Sequence, residues 1–321
     1  MQVDARAVPL IGSHDYGVTL PLAPGEVVLT FDDGPLSPYT DHVLRALADE
    51  CLQAIFFMVG RQARANPRLA WQIRAAGHTV GTHTQNHPLP RMSPERAAYE
   101  IDTGIASVGA ALGTPRALAP FFRFPGLFRT TEAEYHLRAR GLMAWSVDAD
   151  SYDWKKTSSI HMLNHTLAEL EKRRGGILLM HDVQPKTALM LPKLLAELKA
   201  RGYRIVHVVP TGGSAIPDLV ANAPVPRQIP APTGAIARPE VERTGSHLHI
   251  MAPHTTERPH RQVIVPADAV PRRPVMAPTA HPPPPRYIPV EPASPRPRVS
   301  PGCNGLFEAI FMSSDSHRWG R

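Results

Sequence analysis

The sequence predicts an α/β fold, with parallel strands and helices in alternation and a barrel favoured over an open sheet. Short β-branched or aromatic runs alternate with stretches of helical apolar spacing from residue 27 to residue 209. Polar residues follow the carboxyl ends of successive strands. Of the 36 prolines, 14 lie in residues 1–209 and 22 in residues 210–321, so the alternating region reads as one domain and the remainder as a tail.

Val27 to Phe31 is the first strand, and the helix Asp41 to Glu50 follows with Val43, Leu44 and Leu47 on one face. Ala54 to Val59 leads to a helix over Pro67 to Ala76. His78 to Gly81 leads to the long helix Ser93 to Leu112, which opens on Ser93-Pro94-Glu95, a capping hydroxyl, a proline at the first helical position and an early acid. Phe121 to Phe124 precedes the helix Thr131 to Arg140, Leu142 to Val147 the helix Ser159 to Lys172, and Gly176 to Met180 the helix Lys186 to Arg201. Arg204 to Val209 closes the series. Periodicity alone allows a doubly wound sheet or a barrel. Asp32-Asp33, His83, Arg123, Asp148 and His181-Asp182 each end a different strand, and only a barrel gathers such ends at one mouth.

Residues 1–25 read as an N-terminal extension, 26–209 as the domain and 210–321 as a proline-rich, disordered tail suited to partner or cell-wall contacts. No run approaches the roughly 18 apolar residues of a membrane span. The net charge of +7 is spread over both regions without a basic block or interleaved aromatics, which argues against nucleic-acid binding. One cysteine in each region cannot frame a disulfide-dense scaffold. No secretory signal is visible in the first 25 residues, so the chain reads as cytoplasmic, or exported if its start is truncated. A monomer is expected.

Thr30-Phe31-Asp32-Asp33-Gly34-Pro35 places two carboxylates straight after a strand, pointing different ways, so one can bind a cation while the other accepts a proton. His83 and His87 are spaced to reach one metal, and Asp33 completes a two-histidine, one-carboxylate set with open positions. Arg123 lies inside the apolar run Phe121 to Phe124 and needs a partner, for which Asp32 is the candidate. Asp150-Ser151-Tyr152-Asp153-Trp154 adds acids beside an indole. His181 ends an apolar strand, where a carboxylate such as Asp153 would keep the ring charged for acid catalysis.

In this order the five segments resemble the polysaccharide deacetylase family, the carbohydrate esterases that share the NodB homology domain. The resemblance spans residues 26–209 and none of the tail. It implies a distorted (β/α)7 barrel that removes N-acetyl groups from N-acetylglucosamine-containing glycans: chitin oligosaccharide, peptidoglycan or exopolysaccharide. An O-acetyl xylan esterase or an inactive carbohydrate-binding relative is the alternative. By the same resemblance Asp32 is the general base, and Asp33, His83 and His87 bind one divalent ion, Zn2+ first and Co2+ or Ni2+ as alternatives. Arg123 orients Asp32, His181 is the general acid, Asp153 tunes it, and Trp154 with Leu179 forms the pocket for the acetyl methyl. Metal-bound water would attack the acetamide. One departure stands out: Gly126 follows Arg123-Phe124-Pro125, where the family usually has an aromatic. Its backbone N–H survives for the oxyanion, and the missing side chain bears on the sugar site.

Overall fold

A computed structural model describes residues 1–89 and 92–212, so the proline-rich stretch from residue 213 onward lies outside the described residues. The N-terminal segment holds β1 (Gln2–Val3), β2 (Leu10–Ile11) and the one-turn helix α1 (Ser13–Tyr16). The first half of the domain runs β3 (Glu26–Asp32), α2 (Tyr39–Asp49), β4 (Ile55–Met58), α3 (Gly60–Ala65), α4 (Pro67–Ala75), β5 (Thr79–Thr82) and α5 (Pro94–Ala111). The second half runs β6 (Phe121–Phe122), α6 (Thr131–Ala139), β7 (Met143–Trp145), β8 (Ala149–Asp150), α7 (Ser159–Arg173), β9 (Gly175–His181), α8 (Pro185–Ala200), β10 (Arg204–Ile205) and β11 (Val209–Pro210). No described helix is long and apolar enough to cross a membrane.

The strands form a curled parallel sheet in the order β2-β7-β6-β5-β4-β3-β9-β8, with β10 beside the start of β3. Strands β7 and β8 are one stretch of chain interrupted by three residues. Its beginning pairs with β6 and its end with β9, so a single segment joins the two sides of the sheet into the distorted barrel expected. The strand read from sequence as Leu142 to Val147 is shorter, ending at Trp145, and pairing resumes only at Ala149, beyond the expected end. The last strand is split, because Arg204 and Ile205 pair with β3 while Val209 and Pro210 pair with β1.

Strand periodicity sorts the core into two layers. Val27, Leu29 and Phe31 of β3, Phe56 and Met58 of β4, and Leu178 and Met180 of β9 pack outward with helix residues such as Leu44, Leu47, Ile101 and Leu194. Val28, Ile55, Phe57, Phe121, Met143, Trp145 and Ile177 pack together on the other face, inside the barrel. Continuing the alternation by two puts Thr30 and Asp32, Arg123, and Leu179 and His181 on that inner face, at the carboxyl ends. The sequence thus fills the barrel floor with hydrocarbon and reserves its mouth for polar groups.

Helix α5 starts as read, with the Ser93 hydroxyl accepting the Arg96 N–H at 3.3 Å. The short α3 has no legible apolar repeat. It forms because the loop after β5 receives its first N–H groups, Gly60 to the Thr84 carbonyl and Arg61 to the Gln85 carbonyl, both at 2.9 Å. The N-terminal segment is stitched into the domain. β1 pairs with β11, β2 with β7, and Val3, Ala5, Ile11 and Leu20 are buried with the inner layer. Asp148 does not reach the mouth. Its carboxylate accepts the backbone N–H groups of Ser13 and Ile177, both at 2.8 Å, and the Thr19 hydroxyl, tying the N-terminal segment to the start of β9.

Candidate active site

The seven-residue pairing of β3 with β9 sets the site, because its last register pair is Asp32 with His181. Two strands later, His83 follows β5, its N–H bonded to the Met58 carbonyl at 2.9 Å. Asp33, Thr84 and His87 have left-handed backbones with φ of 79°, 64° and 57°. Such conformations cost energy in residues with a Cβ, most of all in β-branched threonine, and concentrate where a loop must aim side chains. Thr84 offsets its cost by donating its hydroxyl to the His83 carbonyl and accepting the His87 N–H at 3.0 Å.

Asp33, His83 and His87 present ligand atoms all within 4.8 Å of one another. Asp33 Oδ1 lies 3.4 Å from His83 Nε2 and 3.1 Å from His87 Nε2. That oxygen is buried without a hydrogen-bond partner among the described residues. His83 Nδ1 faces the Arg123 carbonyl at 2.7 Å. A carbonyl only accepts, so the proton of a neutral ring sits on Nδ1 and the Nε2 lone pair points toward Asp33. An orphaned carboxylate oxygen and a tautomer held with its lone pair inward fit a divalent cation. Burial alone would raise the Asp33 carboxyl, but the close approach of His87 and the charges of His83, His181 and His87 outweigh it and hold it well below the usual carboxylate range. Burial pushes the His83 imidazole down. Burial would also lower His87, yet the adjacent Asp33 carboxylate raises it.

Arg123 is 0% exposed, and its partners explain how a guanidinium survives there. Nη1 donates to Asp32 Oδ1 at 2.7 Å and to the Thr30 hydroxyl at 2.8 Å, Nη2 donates to the Ser146 carbonyl at 3.2 Å, and the group lies 4.2 Å from the centre of the Phe57 ring. Asp32 Oδ2 stays outside that clamp, 3.8 Å from His83 Nε2.

At the end of the neighbouring strand β9, His181 Nδ1 meets Asp153 Oδ1 at 2.7 Å. Asp153 Oδ2 accepts the His181 backbone N–H and the Thr187 hydroxyl, each at 2.6 Å. Burial opposes a charged His181 ring, but the Asp153 charge and hydrogen bond, helped by Asp33 and Asp32, push its pKa up to about 10. Trp154 is 54% exposed and its indole N–H donates to Asp150 Oδ2 at 3.2 Å. Leu179 is 5% exposed and is the register partner of Asp150, so Asp150 stands between the two residues expected to enclose the acetyl methyl. Gly126 occupies the exposed turn after Arg123, with φ of 57°.

Three buried residues have supporting roles that the sequence did not reveal. Glu100 of α5 accepts the Asn86 N–H at 2.8 Å and the Asn86 amide at 3.1 Å, holding the loop between the two histidines. The signal for it was a carboxylate on the buried face that also carries Ala97, Ile101 and Gly104. Thr187 is the second, one hydroxyl on a leucine-rich helix. Asp182 is the third. Read as a mouth residue, it turns away to accept the Gly34 N–H at 3.0 Å and the Thr40 hydroxyl at 2.6 Å. Burial, with the nearby Asp33 charge, pushes its carboxyl up to about 7 against the Thr40 bond. A Cβ on Gly34 would fall 2.0 Å from Asp182 Oδ2, which is why glycine follows the two aspartates.

Residues 20–145 match the sequence model of the polysaccharide deacetylase family. A peptidoglycan-N-acetylglucosamine deacetylase from Bacillus cereus is 34% identical over 193 residues, covering 57% of this chain and 85% of that protein. The chain belongs to the polysaccharide deacetylase family. A chitooligosaccharide deacetylase from Sinorhizobium fredii is 32% identical over 196 residues, covering 56% of this chain and 88% of the relative. Among solved structures, a peptidoglycan deacetylase from Bdellovibrio bacteriovorus superposes with a TM-score of 0.60 at 32% identity, over 69% of this chain and 60% of that one. The family resemblance read from five short segments is borne out, and so is the class: a polysaccharide deacetylase is a hydrolase of carbon–nitrogen bonds other than peptide bonds. Its fold is the curled (β/α) barrel described above.

Proposed function

We propose that the chain is a metal-dependent deacetylase that removes N-acetyl groups from N-acetylglucosamine-containing poly- or oligosaccharides. The observation that supports this most is that Asp32, clamped by Arg123, and His181, held charged by Asp153, end neighbouring strands as register partners, with the Asp33, His83 and His87 cluster beginning at the very next residue after Asp32. A divalent ion held by Asp33, His83 and His87, zinc in the first instance, supplies Lewis acidity toward an acetamide oxygen and makes water acidic near neutral pH.

Asp32 takes the proton of the attacking water on Oδ2, the oxygen that Arg123 leaves free. The Gly126 N–H serves as a backbone donor to the developing oxyanion. His181 delivers a proton from Nε2 to the departing nitrogen, with Asp153 and Thr187 fixing the ring through its other side. An amine leaves only when protonated, whereas an alkoxide leaves more readily, so an imidazole held this strongly in its charged form suits an amide better than an ester. Trp154 and Leu179 are assigned to the acetyl methyl.

The deciding experiment is release of acetate and free amine from N-acetylglucosamine oligomers by the purified full chain. Release should stop on chelation and return when zinc is restored; release indifferent to chelator would end the metal-dependent reading. A second result is expected from pH. His181 must be protonated to act, so activity falls as pH climbs through its pKa. Asp153→Asn removes the charge that raises that pKa, and the alkaline limb of the kcat profile should move to lower pH. A limb that stays in place would remove His181 from the acid role.

A further inference from the structure

We infer that Phe128 and Leu89 form a stacking subsite for a sugar ring of the substrate chain, beside the residue that carries the scissile acetamide. This rests on the deacetylase reading for its occupant and on the following geometry for its existence. Gly126 lies three residues past Arg123, whose carbonyl holds the His83 ring. A Cβ on Gly126 would stand 3.0 Å from Phe128 Cδ2 and Cε2 and 3.0 Å from Leu89 Cδ2. The phenyl ring and the leucine therefore both overlie Gly126, whose φ of 57° is the left-handed conformation that favours glycine. Leu89 lies two residues beyond His87, so the pair is joined through the chain to the candidate metal cluster on one side and to the Asp32 clamp on the other.

Both side chains remain half in water, Phe128 at 51% and Leu89 at 53% exposure. An exposed ring and an exposed isobutyl group gathered over one backbone position offer apolar area whose burial a ligand can complete. A β-linked N-acetylglucosamine ring carries its substituents equatorially and offers a face of axial C–H bonds, which is the complement of an aromatic ring backed by an isobutyl group. Phe128 thus supplies, from two residues further along the chain, a ring where the family pattern has one directly after Arg-x-Pro.

The test uses the full chain, metal-loaded, in an Asp32→Asn background in which turnover is slowed, with released acetate measured at the end of each titration to check that the tetramer is intact. Binding of the N-acetylglucosamine tetramer is measured by calorimetry. Phe128→Ala should raise Kd about tenfold, the scale of one lost aromatic contact, and Phe128→Trp should restore it. The denaturation midpoint should not move, since the ring is half exposed. In the active chain the same Phe128→Ala change should raise KM with kcat nearly unchanged. An unchanged Kd, or a tetramer that does not bind without the substitution, overturns the subsite. If Kd responds as expected but the metal-loaded native chain releases no acetate, the subsite stands and the deacetylase reading falls. Acetate release with a Kd indifferent to Phe128 removes the subsite and leaves the deacetylase reading standing.

Discussion

The Asp32→Asn variant is expected to lose about 10²- to 10⁴-fold in kcat, the usual contribution of a positioned general base, while its metal stoichiometry stays that of the unaltered chain. The two halves of that result come from different atoms. Asparagine keeps the size of the side chain and an oxygen for the Arg123 clamp, so the barrel mouth keeps its shape. It removes the basicity of the position that faces the mouth. The cluster of Asp33, His83 and His87 is untouched, because its ligand atoms are held by the Arg123 carbonyl, the Asn86 loop and the turn at Gly34 rather than by the Asp32 side chain. Steady-state kinetics with metal analysis checks both halves. Activity within tenfold of the native chain would mean that another group takes the proton, and loss of the metal would mean that Asp32 is a ligand.

Arg123→Met should be the most destabilising single change in the site, costing about 3–5 kcal/mol, because it strands a buried carboxylate without its cation. The clamp joins three strands: Asp32 and Thr30 on β3, Arg123 just after β6, and Ser146 just after β7. Methionine fills the aliphatic length beside Phe57 but satisfies none of the acceptors. Denaturant unfolding of the single and double variants isolates the charge effect: in the Asp32→Asn background the cost of Arg123→Met should shrink markedly. An equal cost in both backgrounds would show that packing on Phe57, and not the ion pair, sets the value.

How much of this was legible in the sequence depended on how local each feature is. Asp32 and Asp33 are adjacent, and His83 and His87 are four apart, so their chemistry can be read from a few residues. The strand ends were legible because long apolar runs terminate in charges. Strands of two residues, such as β1 and β2, are too short to show any period. They exist because β11 and β7 offer open edges more than 130 residues away. Glu100, Thr187 and Asp182 stayed hidden for a related reason. Each serves a loop that approaches only when the barrel closes, and a single polar residue on an apolar helix face carries no label of its partner. Gly126 was visible as a departure from the family pattern. What occupies the vacated space became apparent only from the position of Phe128.

The placement of β9 has a consequence for how the chain is made. A ribosome releases β3 early, yet the strand that pairs along its whole length emerges nearly 150 residues later, and β9 also receives β8 on its other edge. Until residue 181 leaves the exit tunnel, β3 has an open flank, and Asp32 has no His181 opposite it. Long-range parallel pairings of this kind form slowly and leave strand edges exposed while they wait. Any chain cut short before β9 therefore lacks both the His181 that pairs with Asp32 and the strand that covers the flank of β3. Synthesis brings Asp32 and His181 together only late, and a product truncated before β9 is expected to hold neither that pairing nor the completed sheet.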